Sequence, residues 1–142
     1  MEIKVNAPVI VHEGRNILRI NSDVEIVHIT GPESYRVKPT PGICDTGATH
    51  TSIPLSTAQA LGLTLGDEVM SMGVTAKGRS YPCEFLLNFP PLGAIRVREG
   101  LAVEGMKTPL LIGMDVIKQG RTTIEPDGDG GVKFTFTLSD EL

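Results

Sequence analysis

Glycine and proline spacing is the feature that most constrains what this sequence can fold into. Sixteen glycines and ten prolines are spread along the 142 residues and are not pooled in one segment. Both residue types interrupt regular secondary structure, so this spacing divides the chain into many short elements. A single flexible linker would instead concentrate them. We therefore expect a mostly β protein.

Length and composition limit the chain to one folded domain. Its 142 residues and 15.2 kDa are enough to bury one core and too few for two. Apolar residues make up 40% and charged residues 21%, which is typical of globular proteins and not of disordered chains. We expect a single domain over residues 1–142, which excludes a two-lobed enzyme.

Charge and cysteine usage argue against several classes of partner. Lysine and arginine number 13 against 17 aspartates and glutamates, a net charge of −4, and no run of like charge occurs. A basic surface for nucleic acid or for a membrane is therefore not expected. Two cysteines, Cys44 and Cys83, are too few for a disulfide framework and lack zinc-site spacing. Since the sequence shows neither a signal peptide nor a membrane-spanning stretch, we expect a cytoplasmic protein.

Alternating and β-branched stretches predict the strands. In residues 132–138 the apolar side chains alternate with polar ones, the period that places one set on each face of a strand. Residues 95–98 alternate in the same way, and residues 24–29 are rich in β-branched side chains. Aromatic residues are only 4%, so the core is expected to be aliphatic. An opening strand or strand pair is predicted around Ile3, Val5, Val9 and Val11.

Helical signals are few and short. Residues 54–61 begin with a proline suited to a first turn, and this segment and residues 114–119 each stop at a glycine. In residues 70–82 two glycines bracket a polar stretch, and strand-like residues 83–89 follow. This pattern predicts a β-hairpin with an exposed tip.

Asp45 stands in the most informative stretch, residues 43–49, with the sequence ICDTGAT. An apolar approach leads to one carboxylate, and small and hydroxylated residues that favour a tight turn follow it. A carboxylate on such a turn can accept backbone N–H bonds and point into a cleft, and Gly47 lets another group approach closely. The structural alternative is an Asx turn, in which Asp45 only bonds the backbone two residues on.

A second motif downstream makes the combination more specific. Residues 109–117, PLLIGMDVI, indicate a buried strand that ends in glycine and enters a short helix. Over residues 37–124 the chain resembles the retropepsin-like aspartic proteases, the single-domain family of the retroviral proteases and their cellular and bacterial relatives. The matching positions are Asp45, Thr46, Gly47, Ala48, Thr49, Thr51, Leu111, Ile112 and Gly113. The resemblance implies a closed, mostly β acid-protease barrel with one or two short helices and one lobe per chain.

The resemblance also implies a homodimer that cleaves polypeptides and needs no cofactor. Aspartic proteases use two carboxylates that share one proton, because like charges about 3 Å apart cannot both ionise readily. This chain has one Asp-Thr-Gly motif and no Asp-Ser-Gly. The second carboxylate must then be Asp45 of another copy, and a two-fold symmetric dimer supplies it.

The family assigns a role to each position of the motif. One Asp45 would activate a water as general base, and the other would polarise the scissile carbonyl. Thr46 would bond across to the other subunit's loop, the Gly47 N–H would support the carboxylate, and Ala48 and Thr49 would contact substrate. Because Ala48 has no hydroxyl to donate to the charged pair, we expect the pH–rate profile to peak above about pH 3.

The hairpin around residues 73–78 falls where the family keeps a flap that closes over a bound peptide. The substrate-binding residues there would be Gly73, Val74, Thr75 and Ala76. An ordinary surface hairpin is the alternative, since this stretch differs from the Gly-rich retroviral flap. The segment before Asp45 is longer than compact retroviral proteases need, so we expect residues 1–35 to add strands.

Other motifs fit structural roles better than chemical ones. Residues 127–131, DGDGG, look like a calcium loop but lack its closing glutamate, so a hairpin turn is expected. His50 follows Cys44 closely, which would suit a cysteine nucleophile, yet a small buried residue is the more frequent role of a cysteine there. Asp115 falls in the first turn of the second helix, where a carboxylate suits the helix dipole and is not expected to be catalytic.

Two functions other than proteolysis fit parts of the sequence. A peptide-binding or assembly module could keep the fold and the dimer without cleaving, although the intact Asp45, Thr46 and Gly47 favour the enzyme. An unrelated small β-barrel whose Asp-Thr-Gly is only a turn would be a monomer with Asp45 exposed and alone.

Overall fold

Short strands dominate the computed structural model, which describes residues 9–12, 15–19, 24–70, 78–89, 93–126 and 132–138. The strands are β1 Val9–His12, β2 Arg15–Arg19, β3 Val24–Gly31, β4 Ser34–Thr40, β5 Ile43–Cys44, β6 Ser52–Pro54, β7 Ser80–Phe89, β8 Gly93–Val103, β9 Leu111–Ile112, β10 Gly120–Pro126 and β11 Val132–Leu138. The helices are α1 Leu55–Ala60 and α2 Met114–Ile117.

Nine of these strands form one sheet, in the order β1-β2-β5-β9-β6-β8-β7-β3-β4, and β10 pairs with β11 in a second sheet. The large sheet curls into a half-barrel. The mostly β, one-lobed retropepsin-like fold with two short helices is therefore confirmed. Within residues 1–35 the described strands are β1, β2, β3 and the first residues of β4, so this segment does add strands to the sheet.

Most predicted strands lie where the sequence placed them. The alternating residues 132–138 form β11, residues 24–29 lie in β3, and residues 95–98 lie in β8. β10 and β11 pair antiparallel with Pro126 opposite Val132, and the turn expected at residues 127–131 lies outside the described residues. Val9 and Val11 lie in β1, whereas Ile3 and Val5 are outside the described residues.

The helices are shorter than predicted because neighbouring strands and turns occupy some of the residues predicted as helical. Pro54 is extended and belongs to β6, so α1 begins at Leu55, and Gly62 with φ 69° ends the turn that follows α1. α2 ends at Ile117 instead of residue 119, since the chain must turn before β10 begins at Gly120.

The core is mostly aliphatic, as the composition predicted, and it also includes Phe85 and Phe89. Each such side chain contributes about 1.5–3 kcal/mol when fully buried. The largest fully buried apolar side chains are Ile26, Ile53, Leu87, Leu110, Val24, Val97 and Val116. Leu111 and Ile112 of β9 are also buried, so a strand of the core leads directly to the site described below. No helix in the described part of the chain is long and apolar enough to cross a membrane.

Candidate active site

The loop of residues 45–51 arches over the end of β9. β5 lies on one side of β9 and β6 on the other, so the chain between β5 and β6 must pass over that end. β5 pairs parallel with β9, and the Asp45 N–H donates to the Ile112 carbonyl at 2.9 Å. The first residue of the loop is thereby tied to the last residue of a buried strand.

A tight turn positions the Asp45 carboxylate. The Ala48 N–H donates to the Asp45 carbonyl at 3.1 Å, and the Gly47 N–H donates to Asp45 Oδ1 at 2.9 Å. A Cβ added at Gly47 would lie 3.2 Å from that same oxygen, so glycine leaves the carboxylate its room. The side chain of Asp45 is half-buried. The turn therefore holds the acid and leaves it accessible, through a bond to the backbone two residues on that both the positioned-acid and the Asx-turn interpretations predict.

The predicted site residues of the loop are brought together. Thr46, Gly47 and Thr49 are exposed on the loop, and Ala48 is half-buried. The remaining predicted substrate-binding residues lie outside the described residues: Gly73, Val74, Thr75 and Ala76.

The chain on both sides of residues 71–77 is paired as the two arms of a hairpin would be. The Val69 N–H donates to the Ser80 carbonyl at 2.8 Å, and the Gly66 N–H donates to the Pro82 carbonyl at 2.7 Å. An exposed ion pair joins Arg79 to Glu68, with Nε and Oε1 3.6 Å apart. β7 begins at Ser80, three positions before the strand-like residues 83–89 predicted there, because the pairing extends toward the tip.

Gly113 allows the loop to lie directly on the strand-to-helix junction. A Cβ at this position would come within 2.7 Å of the His50 carbonyl carbon and 2.9 Å of the Ala48 oxygen. Both neighbours are backbone, so no side-chain rotation could relieve the clash. The next two residues add backbone hydrogen bonds to the loop. The Met114 N–H donates to the Ala48 carbonyl at 2.7 Å, and the Asp115 N–H donates to the Thr49 carbonyl at 3.1 Å.

Thr51 and Asp115 form a side-chain pair that the sequence did not predict. The Thr51 hydroxyl donates to Asp115 Oδ1 at 2.6 Å, and the Thr51 N–H lies 3.0 Å from both carboxylate oxygens. Asp115 lies in the first turn of α2, as the sequence predicted, and the Val116 N–H donates to Asp115 Oδ1 at 2.9 Å. Two features of the sequence could have indicated the pair: a threonine, Thr51, shortly after the Asp-Thr-Gly motif, and an aspartate, Asp115, two positions after Gly113.

A cysteine-nucleophile site does not fit the observed surroundings. Cys44 is buried, and this burial raises the pKa of its thiol to about 12, so the reactive thiolate is suppressed near neutral pH. His50 Nδ1 lies 3.0 Å from the Glu99 carbonyl, a backbone contact. In the described part of the chain no group of three or more His, Cys, Asp or Glu side chains is arranged to hold a metal ion.

Residues 37–119 match the model of a protein family described as "gag-polyprotein putative aspartyl protease". This span is more than half of the chain and contains both the Asp45 loop and the strand that supports it. The chain belongs to this aspartyl protease family. No curated protein sequence matches it.

A solved structure of a retropepsin-like protease shares the fold. A retropepsin-like aspartic protease from Rickettsia conorii aligns over 98% of this chain and 97% of its own, with a TM-score of 0.55 and 11% identity. The retroviral protease-like domain of Ddi1 from Leishmania major aligns over 85% of this chain and 98% of its own, with a TM-score of 0.46 and 16% identity. The first similarity shows a common fold, and the identity is too low to show more.

Proposed function

We propose that this aspartyl protease family member is an aspartic endopeptidase whose active site forms between two copies of the chain. The observation that carries the proposal is Asp45, a half-buried carboxylate held by the Gly47 N–H on a loop that is bonded to the core strand β9. Preorganised donors of this kind keep a catalytic group in place without reorganisation during the reaction.

A second copy supplies the second acid of the site. The chain contains a single Asp-Thr-Gly motif, and hydrolysis by this class needs a pair of carboxylates that share one proton. A two-fold axis near the loop would place two Asp45 side chains face to face. The exposed Thr46 is then available to bond the partner's loop, which is the role that the family implies.

The reaction then follows general acid–base chemistry. The ionised Asp45 takes a proton from a water held between the pair, and the protonated Asp45 of the other subunit polarises the scissile carbonyl. The water oxygen bonds to the carbonyl carbon to give a tetrahedral intermediate, which collapses as the C–N bond breaks and a proton passes to the leaving nitrogen. No covalent bond to the enzyme forms, and the Gly47 N–H bond keeps one carboxylate oxygen oriented throughout.

The substrate in this proposal is an extended polypeptide. Ala48 and Thr49 lie on the same loop as Asp45 and would flank the scissile bond. The hairpin whose arms include Val69 and Ser80 would close over the peptide and exclude water, with the peptide bonded through its backbone.

The test compares the wild type with Asp45→Asn on a mixed peptide library near pH 5, and the mass of each protein in solution is measured alongside. We expect cleavage by the wild type, none by Asp45→Asn, and a dimer in both cases. A pH–rate profile that peaks above about pH 3 is expected from the wild type. Peptide binding without cleavage by either protein would instead indicate a binding module, and a monomeric mass at high concentration would contradict the paired site.

A further inference from the structure

We propose that Asp115 is a positioning residue of this active site, which acts through Thr51 on the backbone that holds Asp45. The inference rests on the proposed function, because it assigns a further residue to the same reaction. Its basis is a continuous hydrogen-bond chain that starts at the Asp115 carboxylate and ends at the Asp45 N–H.

The direction of the chain is determined by the donors. Thr51 Oγ1 donates its proton to Asp115 at 2.6 Å, a length typical of a hydroxyl bonded to an ionised carboxylate. Because that proton is committed, a lone pair of the same oxygen accepts the Gly113 N–H at 3.1 Å. Thr51 is fully buried, so no bulk water competes for these bonds.

The peptide unit between Ile112 and Gly113 carries the effect to Asp45. Its N–H donates to Thr51, and its C=O accepts the Asp45 N–H at 2.9 Å. A peptide unit is planar and rotates as one body, so the bond that orients its N–H also orients its C=O. Thr51 and Asp115 therefore influence the direction in which the backbone of Asp45 is held.

The Thr51–Asp115 pair is the contact between the loop and residues 112–115 that a side-chain substitution can remove. The other bonds between the loop and residues 112–115 are backbone bonds at Asp45, Ala48 and Thr49, which substitution leaves in place. Loss of the side-chain pair should therefore tilt the catalytic loop without removing it. Because a misplacement of about 1 Å can cost about 100-fold in rate, the effect should appear in kcat and only weakly in KM.

The experiment uses Thr51→Val, Asp115→Ala, their double variant and Thr51→Ser in the full chain. Thr57→Val is the matched control, since Thr57 is also a buried threonine but lies in α1, where its hydroxyl accepts from Lys38 Nζ at 3.5 Å. Glu33→Gln, at an exposed turn, controls for loss of a negative charge. kcat and KM are measured on a peptide that the wild type cleaves.

We expect Thr51→Val and Asp115→Ala each to lower kcat by about 100-fold, with KM changed little and with the double variant no worse than either single. Thr51→Ser keeps the hydroxyl and should restore kcat, and both controls should match the wild type. Additive losses of kcat in the double variant, a rise in KM alone, or an equal loss of kcat in Thr57→Val would overturn the positioning role of Asp115.

A measurement without turnover separates this inference from the proposed function. In the amide NMR spectrum, the Asp45 and Gly47 signals should shift in Thr51→Val and stay in place in Thr57→Val, because only Thr51 orients the peptide that holds Asp45. If the wild type cleaves no peptide, the proposed function fails, but the NMR shifts still test whether Thr51 and Asp115 position the backbone of Asp45. Unchanged Asp45 and Gly47 signals in folded Thr51→Val would overturn it.

Discussion

The Asp45 loop and the outer end of the β3–β4 hairpin, residues 28–38, are held to the protein in different ways. The loop, residues 45–51, is bound to residues 112–115 mainly by backbone hydrogen bonds, with the Thr51–Asp115 pair as the side-chain exception. The inner part of β3 is paired along its backbone with β7 and belongs to the core, whereas the outer end of the hairpin contacts α1 and the residue after it through the ends of long side chains. His28 Nδ1 lies 2.7 Å from the Leu61 carbonyl, and Lys38 Nζ lies 3.5 Å from Thr57 Oγ1.

This difference teaches where the molecule can tolerate change. Contacts between two stretches of backbone have no rotamer to adjust, so an added atom displaces the loop itself. Contacts through the tips of side chains can adapt, and the outer end of the hairpin is also largely in water, with Ile29 55% and Tyr35 65% exposed. Substitutions should therefore affect activity and stability at the loop and little at the outer end of the hairpin.

The largest difference is expected between two glycine substitutions. In Gly113→Ala the new Cβ meets the backbone of His50 at 2.7 Å, whereas in Gly31→Ala it meets Ser34 Oγ, also at 2.7 Å. The serine can rotate and the backbone cannot. We expect Gly113→Ala to lose about 3 kcal/mol of unfolding free energy and most activity, and Gly31→Ala to lose under about 1 kcal/mol. Urea unfolding checks both, and equal losses would mean that the loop is as adaptable as the hairpin.

A smaller effect is expected from the thiol that precedes the loop. Burial raises the pKa of Cys44 to about 12 from 9.0, so above pH 9.0 the unfolded chain releases a proton that the folded chain retains. Stability must then fall as pH rises through this window. At about pH 10 the thiol should cost about 1.4 kcal/mol relative to neutral pH.

The comparison protein for this effect is Cys44→Ala, measured by urea unfolding at both pH values. Its unfolding free energy should fall less steeply with pH than that of the wild type, because lysines and tyrosines titrate equally in both. Parallel pH dependence in the two proteins would show that Cys44 is not shielded, and that the anchor of the loop is looser than described.

The smallest effect is expected on the exposed face of the hairpin. Ile29 is 55% exposed in β3, and threonine keeps its β-branched shape. Ile29→Thr should change the unfolding free energy by less than about 0.5 kcal/mol and leave peptide cleavage unchanged. A loss as large as that of Gly113→Ala would show that the Ile29 side chain is covered in the folded protein.

Local patterns in the sequence predicted what depends on neighbours along the chain. Alternation located β11 and the middle of β8, and the residues after Cys44 predicted the turn at Asp45 with its Gly47 bond. The helix ends were predicted less well, because the strands that follow or precede α1 and α2 decide where the chain must turn.

Pairing between distant segments could not be derived in the same way. Thr51 and Asp115 are 64 positions apart, and they meet only because β9 lies between β5 and β6. The local pattern around Asp115 indicated the helix dipole, and the structure adds Thr51 as its partner. The order of strands in the sheet depends on such long-range packing and was therefore not predicted.

Mixing the wild type with inactive Asp45→Asn tests most directly whether two copies share one active site. If each site needs an intact Asp45 from both chains, mixed dimers are inactive, and activity falls with the square of the wild-type fraction. In an equal mixture that has exchanged subunits, activity should be about one quarter of that of the same total amount of wild type. A value of about one half would show that each chain works alone and would contradict the account.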